Sequence, residues 1–95
     1  MIRAEIIANQ SVQEEIIDAL EENVENIMYT LIPVVYGRGG DDKKLGNSVW
    51  PETNFMLISY MEDNQVEIVK QVMSGIKSKF KSEGIKLFFS PALDC

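Results

Sequence analysis

The chain has 95 residues, which is enough for one folded domain and too few for a multidomain enzyme. Apolar residues make up 45% and charged residues 25%, so neither a disordered nor a fibrous chain is expected. The net charge of −6 at pH 7 disfavours binding to nucleic acid and to anionic membrane surfaces.

Residue types that are rare or missing exclude further classes of function. The sequence contains no histidine, which removes the commonest general base and transition-metal ligand, so we expect no enzyme. Cys95 is the only cysteine, and it cannot form an internal disulfide. No apolar run approaches the roughly 20 residues of a membrane span, and the N-terminus lacks the features of a signal peptide. We therefore expect a single cytoplasmic domain over residues 1–95 that does not insert into membranes.

The first third of the chain alternates between strand and helix patterns. Ile2 to Ala8 has period-two alternation and is predicted to form the first strand. Ser11 is a predicted N-cap for an amphipathic helix over about residues 12–24, whose outer face is acidic. Met28 to Tyr36 is rich in β-branched and aromatic residues and predicts a second strand. Pro33 lacks an N–H donor and predicts that this strand lies at a sheet edge.

The remaining residues repeat the pattern after a long connector. Residues 37–52 contain four glycines and exceed the usual hairpin loop, which favours a functional loop. Thr53 to Met61 is a predicted third strand. A second helix follows, with acidic residues near its start, lysines near its end and Gly84 as its predicted C-cap. Ile85 to Phe89 is the last predicted strand.

This order of elements predicts an α+β, ferredoxin-like βαββαβ fold, in which both helices cover one face of an antiparallel sheet. Two helices cannot cover the second face, yet the strands are apolar on both sides. The predicted second face includes Leu31, Met56, Ile58 and Tyr60. We infer that this face is buried against copies of the same chain.

The connector contains a candidate anion cradle. Gly37-Arg38-Gly39-Gly40 can turn backbone amides outward beside a guanidinium, and Lys43 and Lys44 are close by. Simple flexibility is the alternative interpretation, because Asp41 and Asp42 would partly cancel the positive field. Trp50 either packs on the sheet or offers a stacking surface.

Three segments resemble the P-II signalling proteins. Tyr29-Thr30 and Val34 to Gly39 resemble the family's exit from strand two into its long loop, and Gly84 to Phe88 resembles its last strand. Leu45 to Asn54 is similar to the Gly…Trp-Pro-Gly-Glu-Asn segment of P-II-like proteins encoded beside heavy-metal efflux pumps.

The resemblance implies a non-catalytic homotrimer that binds a small effector, a nucleotide or other small anion, in clefts between subunits. It also implies that the 37–52 loop regulates a protein partner such as a membrane transporter for metal efflux. The implied effector residues are Gly37, Arg38, Gly39 and Lys86. The loop residues implied in partner contact are Lys43, Lys44, Gly46, Trp50, Pro51, Glu52 and Asn54.

Two alternatives share the predicted topology. One is a trimeric divalent-cation tolerance protein, for which the acidic first helix would supply oxygen ligands. Its candidate carboxylates are Glu14, Asp18, Glu21 and Glu25. The other is acylphosphatase, whose loop after the first strand carries an arginine. Here that loop reads Asn9-Gln10-Ser11, which disfavours the enzyme.

Overall fold

Residues 1–40, 42–47 and 52–95 are described in the computed structural model of the chain. The strands are β1 (Ile2–Asn9), β2 (Thr30–Val35), β3 (Gly37–Gly39), β4 (Asp42–Lys44), β5 (Asn54–Met61) and β6 (Lys86–Pro91). The helices are α1 (Gln13–Asn23) and α2 (Val66–Lys79), and a 3-10 turn precedes each of them, at Gln10–Val12 and Asp63–Gln65.

The main sheet has the strand order β2-β5-β1-β6, and every pairing in it is antiparallel. This is the ferredoxin-like arrangement, so the predicted βαββαβ fold is confirmed. Strand β2 lies at an edge, as Pro33 predicted, and the register between β2 and β5 shifts between Ile32 and Val35. A residue without an N–H cannot continue a regular ladder, which is why the irregularity includes Pro33.

Alternation along the two central strands places one apolar set of side chains beneath the helices. Both helices contribute to the same core, so both cover the same face of the sheet. The core contains Ala4, Ile6 and Ala8 of β1, Phe55, Leu57 and Met61 of β5, Ile16 and Leu20 of α1, and Val69 and Met73 of α2. Ser59 also points to this face, where its hydroxyl donates a hydrogen bond to the Met28 carbonyl at 2.7 Å.

Leu31 lies on the helix-covered face, which corrects its predicted place on the open face. It pairs with Leu57, which is fully buried, and residues directly opposite in an antiparallel pair share a face. Leu31 accordingly packs against the core. Its neighbour Ile32 pairs with Met56 and takes the open-face position instead.

The open face of the sheet is the side that the helices leave uncovered. It carries Met56, Ile58 and Tyr60 of β5, Arg3, Glu5 and Ile7 of β1, Phe88 of β6 and Ile32 of β2. Phe88 is 56% exposed and Tyr60 is 49% exposed. Arg3 interrupts the apolar surface by donating hydrogen bonds to the Tyr60 hydroxyl at 3.1 Å and to the Glu5 carboxylate at 3.5 Å.

The ends of the helices differ from the sequence-based prediction. Asn9, not Ser11, caps the turn before α1, because its side-chain oxygen accepts a hydrogen bond from the Ser11 N–H at 3.0 Å. Helix α2 ends at Lys79, well before Gly84, and Phe80 closes it while packing against the core. No helix in the described part of the chain has the length and apolar character that crossing a bilayer requires.

The long connector is partly regular. Strands β3 and β4 pair as a short antiparallel hairpin, in which Gly37, Arg38 and Gly39 face Lys44, Lys43 and Asp42 respectively. Gly40 follows β3 with φ +55°, a left-handed conformation that glycine adopts without steric cost. The base of the connector therefore has a defined geometry next to the sheet.

Candidate functional site

A polar cavity of about 300 Å³ lies at one end of the main sheet. Here β1 ends while its antiparallel neighbours β5 and β6 begin, so that Asn9 lies opposite Asn54, and Ile7 lies opposite Lys86. The hairpin and the turn before β6 complete the walls. The described residues that line the cavity are Asn9, Gly39, Gly40, Lys44, Asn54, Ser82, Glu83, Gly84 and Lys86.

The hairpin presents different cations on its two faces. Side chains alternate along a strand, so Lys44 lies on the opposite face from Arg38 and Lys43, which pair with each other across the hairpin. Lys44 lines the cavity, whereas Arg38 and Lys43 belong to the outer face. The two glycines of β3 alternate with Arg38, so the cavity side of this strand is bare backbone.

The Glu52 side chain links the end of β4 to the end of β1 through two hydrogen bonds. One of its carboxylate oxygens accepts a hydrogen bond from the Lys44 ammonium at 2.7 Å, and the other accepts from the Asn9 amide at 2.9 Å. The hydrogen bond from Lys44 is the main cause that lowers the pKa of the Glu52 carboxyl, and the hydrogen bond from Asn9 adds to it. The carboxylate is thus held in its charged form between two elements that are distant in sequence.

Asn9 is the buried centre of this network, with only 6% of its surface exposed. Its oxygen accepts from the Ser11 N–H and its nitrogen donates to Glu52, so both ends of the amide have partners. A buried polar side chain costs little when its donor and acceptor are both satisfied. Asn9 therefore positions Glu52 and the start of α1 at the same time.

Gly46 directs the chain from the hairpin back toward β5. Its N–H donates to the Glu52 carbonyl at 3.2 Å, and its φ of +67° is left-handed. A Cβ at this position would lie 2.9 Å from Thr53 Cγ2 and 3.0 Å from Tyr36 Cε1. Both the backbone conformation and the available space therefore require glycine.

A tight turn before β6 forms the opposite wall. The Glu83 N–H donates to the Phe80 carbonyl at 3.1 Å, and the Ile85 N–H donates to the Glu83 carbonyl at 2.8 Å. These bonds hold Ser82, Glu83 and Gly84 against the cavity immediately before Lys86. The cavity thus has lysines on two walls, and the acidic residue Glu83 also lines it.

The structure brings together part of the predicted effector set. Gly39 and Lys86, which are far apart in sequence, line the same cavity, and Gly37 lies beside Asn54 at the base of the hairpin. Arg38 is exposed on the outer face of the hairpin. Gly39 and Lys86 of one chain therefore share the cavity, whereas Gly37 and Arg38 are not among its lining residues.

The residues predicted for partner contact divide into three groups. Lys44 and Asn54 line the cavity, and Glu52 and Gly46 stabilise its rim. Lys43 lies on the outer face of the hairpin. Trp50 and Pro51 lie outside the residues that the structure describes.

Sequence reasoning missed Asn9 and the turn of Ser82, Glu83 and Gly84 as parts of the site. Asn9 had a detectable signal, because an Asn between a strand and a helix start is a typical capping residue. The turn of Ser82, Glu83 and Gly84 had a weaker sequence signal, and the sequence analysis assigned Gly84 to the end of a helix. The cavity offers ammonium groups, amide groups and exposed backbone, a combination suited to a small oxyanion.

Comparisons with solved structures identify the fold. No protein-family model matches the sequence, and no curated protein matches it. CPII, a nitrogen regulatory PII-like protein from Thiomonas intermedia K12 solved with ADP, AMP and bicarbonate, superposes with a TM-score of 0.70 at 20% identity, over 94% of this chain and 82% of CPII. A PII-like signalling protein from Thermus thermophilus gives a TM-score of 0.60 at 12% identity, over 94% of this chain and 83% of that protein.

A third similar structure shows what such a likeness establishes. The de novo designed protein Foldit4 superposes with a TM-score of 0.58 at 11% identity, over 97% of this chain and 98% of the design. A designed protein can share this topology without a biological role, so the topology by itself specifies no function. What the comparisons establish is that the chain has the PII-like, ferredoxin-like fold.

Proposed function

We propose that the protein is a non-catalytic, PII-like signalling protein that binds a small anionic effector in the cavity at the end of the sheet. The observation that carries the proposal is the convergence of Lys44 and Lys86 on one cavity, from the hairpin base and from β6. CPII, which shares the fold, was solved with ADP, AMP and bicarbonate bound. A nucleotide phosphate or bicarbonate is accordingly the effector class that we propose for this cavity.

The size of the cavity limits what a single chain can enclose. At about 300 Å³ it lies at the lower end of the range of small-molecule sites. It accommodates a phosphate or bicarbonate group, while a nucleoside would extend past its walls. A neighbouring subunit would supply the remaining wall, so the proposal includes a homotrimer.

The open face is the surface that we propose for assembly. Phe88, Tyr60 and Ile32 are 56%, 49% and 38% exposed there, and an apolar patch of this kind normally marks an interface. The patch lies on the side of the sheet away from the helices, where the sequence analysis predicted contact between copies. The trimer would bury these side chains and join the cavities of adjacent subunits.

The outer face of the hairpin is the proposed contact for a protein partner. Arg38 and Lys43 lie side by side there and form a small cationic surface on an otherwise acidic protein. An effector in the cavity contacts the inner face of the same hairpin and can thereby alter what the outer face presents. A membrane transporter for metal efflux is the partner class suggested by the sequence.

Calorimetry with ADP, AMP and bicarbonate tests the effector site. We expect K86Q to weaken binding by at least about tenfold, because a charged hydrogen bond contributes about 1.5–3 kcal/mol. K77Q, which removes the same charge from the exposed surface of α2, should bind like the wild type. Equal affinities of K86Q and K77Q would refute this site, and a monomeric wild type in sedimentation would refute the trimer.

The cation-tolerance alternative gains no support from the part of the chain that the structure describes. No group of three or more Asp, Glu, His or Cys side chains is arranged there to hold a metal ion. Of the acidic residues on α1, Glu21 accepts a hydrogen bond from the Tyr29 hydroxyl at 2.6 Å. We therefore carry forward only the anionic effector.

A further inference from the structure

The Lys44 ammonium can donate to two competing acceptors, the Glu52 carboxylate and an anion in the cavity. It lines the cavity, and it also donates to Glu52 Oε2 at 2.7 Å. A carboxylate presents two oxygens and a negative charge, as bicarbonate does, and resembles one edge of a phosphate. The Glu52 carboxylate therefore accepts from Lys44 in the same way that a bound oxyanion would.

The two partners differ in their access to water. The Lys44 side chain is only 17% exposed, whereas that of Glu52 is 60% exposed. If the pair separates, water can solvate the carboxylate, while the ammonium stays largely shielded from water. An anion that enters the cavity can thus replace Glu52 at little cost.

We propose that Glu52 is a built-in competitor of the effector: its carboxylate and the bound anion use the same Lys44 ammonium, and binding of one excludes the other. This inference rests on the proposed function, because it concerns the regulation of the same cavity. The competition sets effector affinity, since only the fraction of molecules with Lys44 released is ready to bind. If this pair, whose carboxylate is exposed, has the strength of an ordinary surface ion pair, it weakens apparent affinity about two- to fivefold.

The competition also connects the cavity with the chain that returns to β5. The Glu52 backbone carbonyl accepts the Gly46 N–H, and its side chain binds Asn9 at the end of β1. Release of the carboxylate from Lys44 therefore frees β4 from one of its ties to the main sheet. In this way the effector changes how firmly the hairpin is attached.

Sulfate binding provides the first test, because sulfate is an oxyanion that does not titrate near neutral pH and carries no nucleoside. We expect E52Q to bind sulfate about two to five times more tightly than the wild type. The glutamine side chain of E52Q keeps an acceptor for Asn9. E22Q removes the same charge from the exposed face of α1 and should bind like the wild type.

A double-mutant cycle with K44Q separates competition from a general field effect. If Glu52 acts through Lys44, the E52Q change should bring no gain in the K44Q background. A gain of the same size in that background would overturn the proposal, because it would show that the negative charge of Glu52 acts at a distance.

The pKa of the Glu52 carboxyl, followed by carbon NMR, provides a second readout that remains usable if K44Q binds too weakly to measure. In the wild type we expect saturating sulfate to raise this pKa toward the ordinary value, relative to sodium chloride of equal ionic strength. Binding of sulfate without such a rise overturns the competitor and leaves the effector site standing. Failure of both wild type and E52Q to bind sulfate, ADP or bicarbonate overturns the effector site as well.

Discussion

Replacing Asn9 with alanine should destabilise the protein much more than its small change in volume suggests. Asn9 is buried, and its amide binds two groups: the Ser11 N–H at 3.0 Å and the Glu52 carboxylate at 2.9 Å. Loss of a capping acceptor costs about 0.5–2 kcal/mol. Loss of a hydrogen bond to a charged group costs about 1.5–3 kcal/mol, toward the lower end here because water can reach Glu52.

Together these terms predict that N9A lowers the free energy of unfolding by about 2–3 kcal/mol. In a domain of this size, that corresponds to a fall in Tm of roughly 8–24 °C. The measurement is thermal and urea unfolding at one fixed protein concentration, since assembly makes Tm concentration-dependent. N9D keeps the acceptor for Ser11 but opposes a second carboxylate to Glu52, so it should also lose stability.

Asn23 offers a matched control. It is exposed at the end of α1, where its amide donates only to the Ala19 carbonyl at 2.7 Å, and N23A should cost less than about 0.5 kcal/mol. If N9A and N23A unfold with the same midpoint, the reasoning fails, because the buried amide would then contribute no more than an exposed one.

Three further predictions concern other parts of the molecule. Gly46→Ala should cost about 1–2 kcal/mol because of its left-handed φ, whereas Gly75→Ala in the open middle of α2 should stabilise by about 0.5–1 kcal/mol; equal shifts in Tm would contradict this. Since the pKa of Glu52 lies below its ordinary 4.5, the stability difference between wild type and E52Q should be full above about pH 5 and shrink as the pH falls through the folded-state value, as followed by urea unfolding. Phe88→Asp on the open face should reduce the sedimentation coefficient, while Ile68→Asp, at 41% exposure on α2, should not; the reverse result would place assembly on the helices.

Local patterns in the sequence predicted the order of the elements well. Alternation in Ile2 to Ala8 and helical spacing in both helices are properties of neighbouring residues, and the structure confirms them. Pro33 likewise acts through its own missing N–H, so the edge position of β2 could be derived from one residue.

Facts that depend on register could not be derived in this way. Leu31 points to the core because it pairs with Leu57, and a shift of one residue would have placed it on the open face. Both faces of β2 are apolar, so hydrophobicity gave no means of choosing between them. Gly84 was misassigned for a related reason: Phe80 packs on the core and ends α2 earlier than the glycine would.

The candidate site was predicted in outline and missed in its centre. Gly39 and Lys86 were implied by the resemblance to the P-II proteins, and the structure places both at one cavity. The network of Asn9, Lys44 and Glu52 joins three separate parts of the chain, and the local sequence around each residue does not indicate that the three meet. Only the sheet topology brings them together.

The polar cluster of Arg3, Tyr60 and Glu5 would restrict the orientations in which the open face can pack against another surface. A purely apolar surface can pack against another apolar surface in many orientations. The Arg3 guanidinium, hydrogen-bonded at 3.1 Å to the Tyr60 hydroxyl and at 3.5 Å to the Glu5 carboxylate, would have to keep those contacts or exchange them for equivalent ones when water leaves. In the proposed assembly, docking at a wrong rotation would leave that charge buried without partners, so the cluster would restrict how neighbouring copies align.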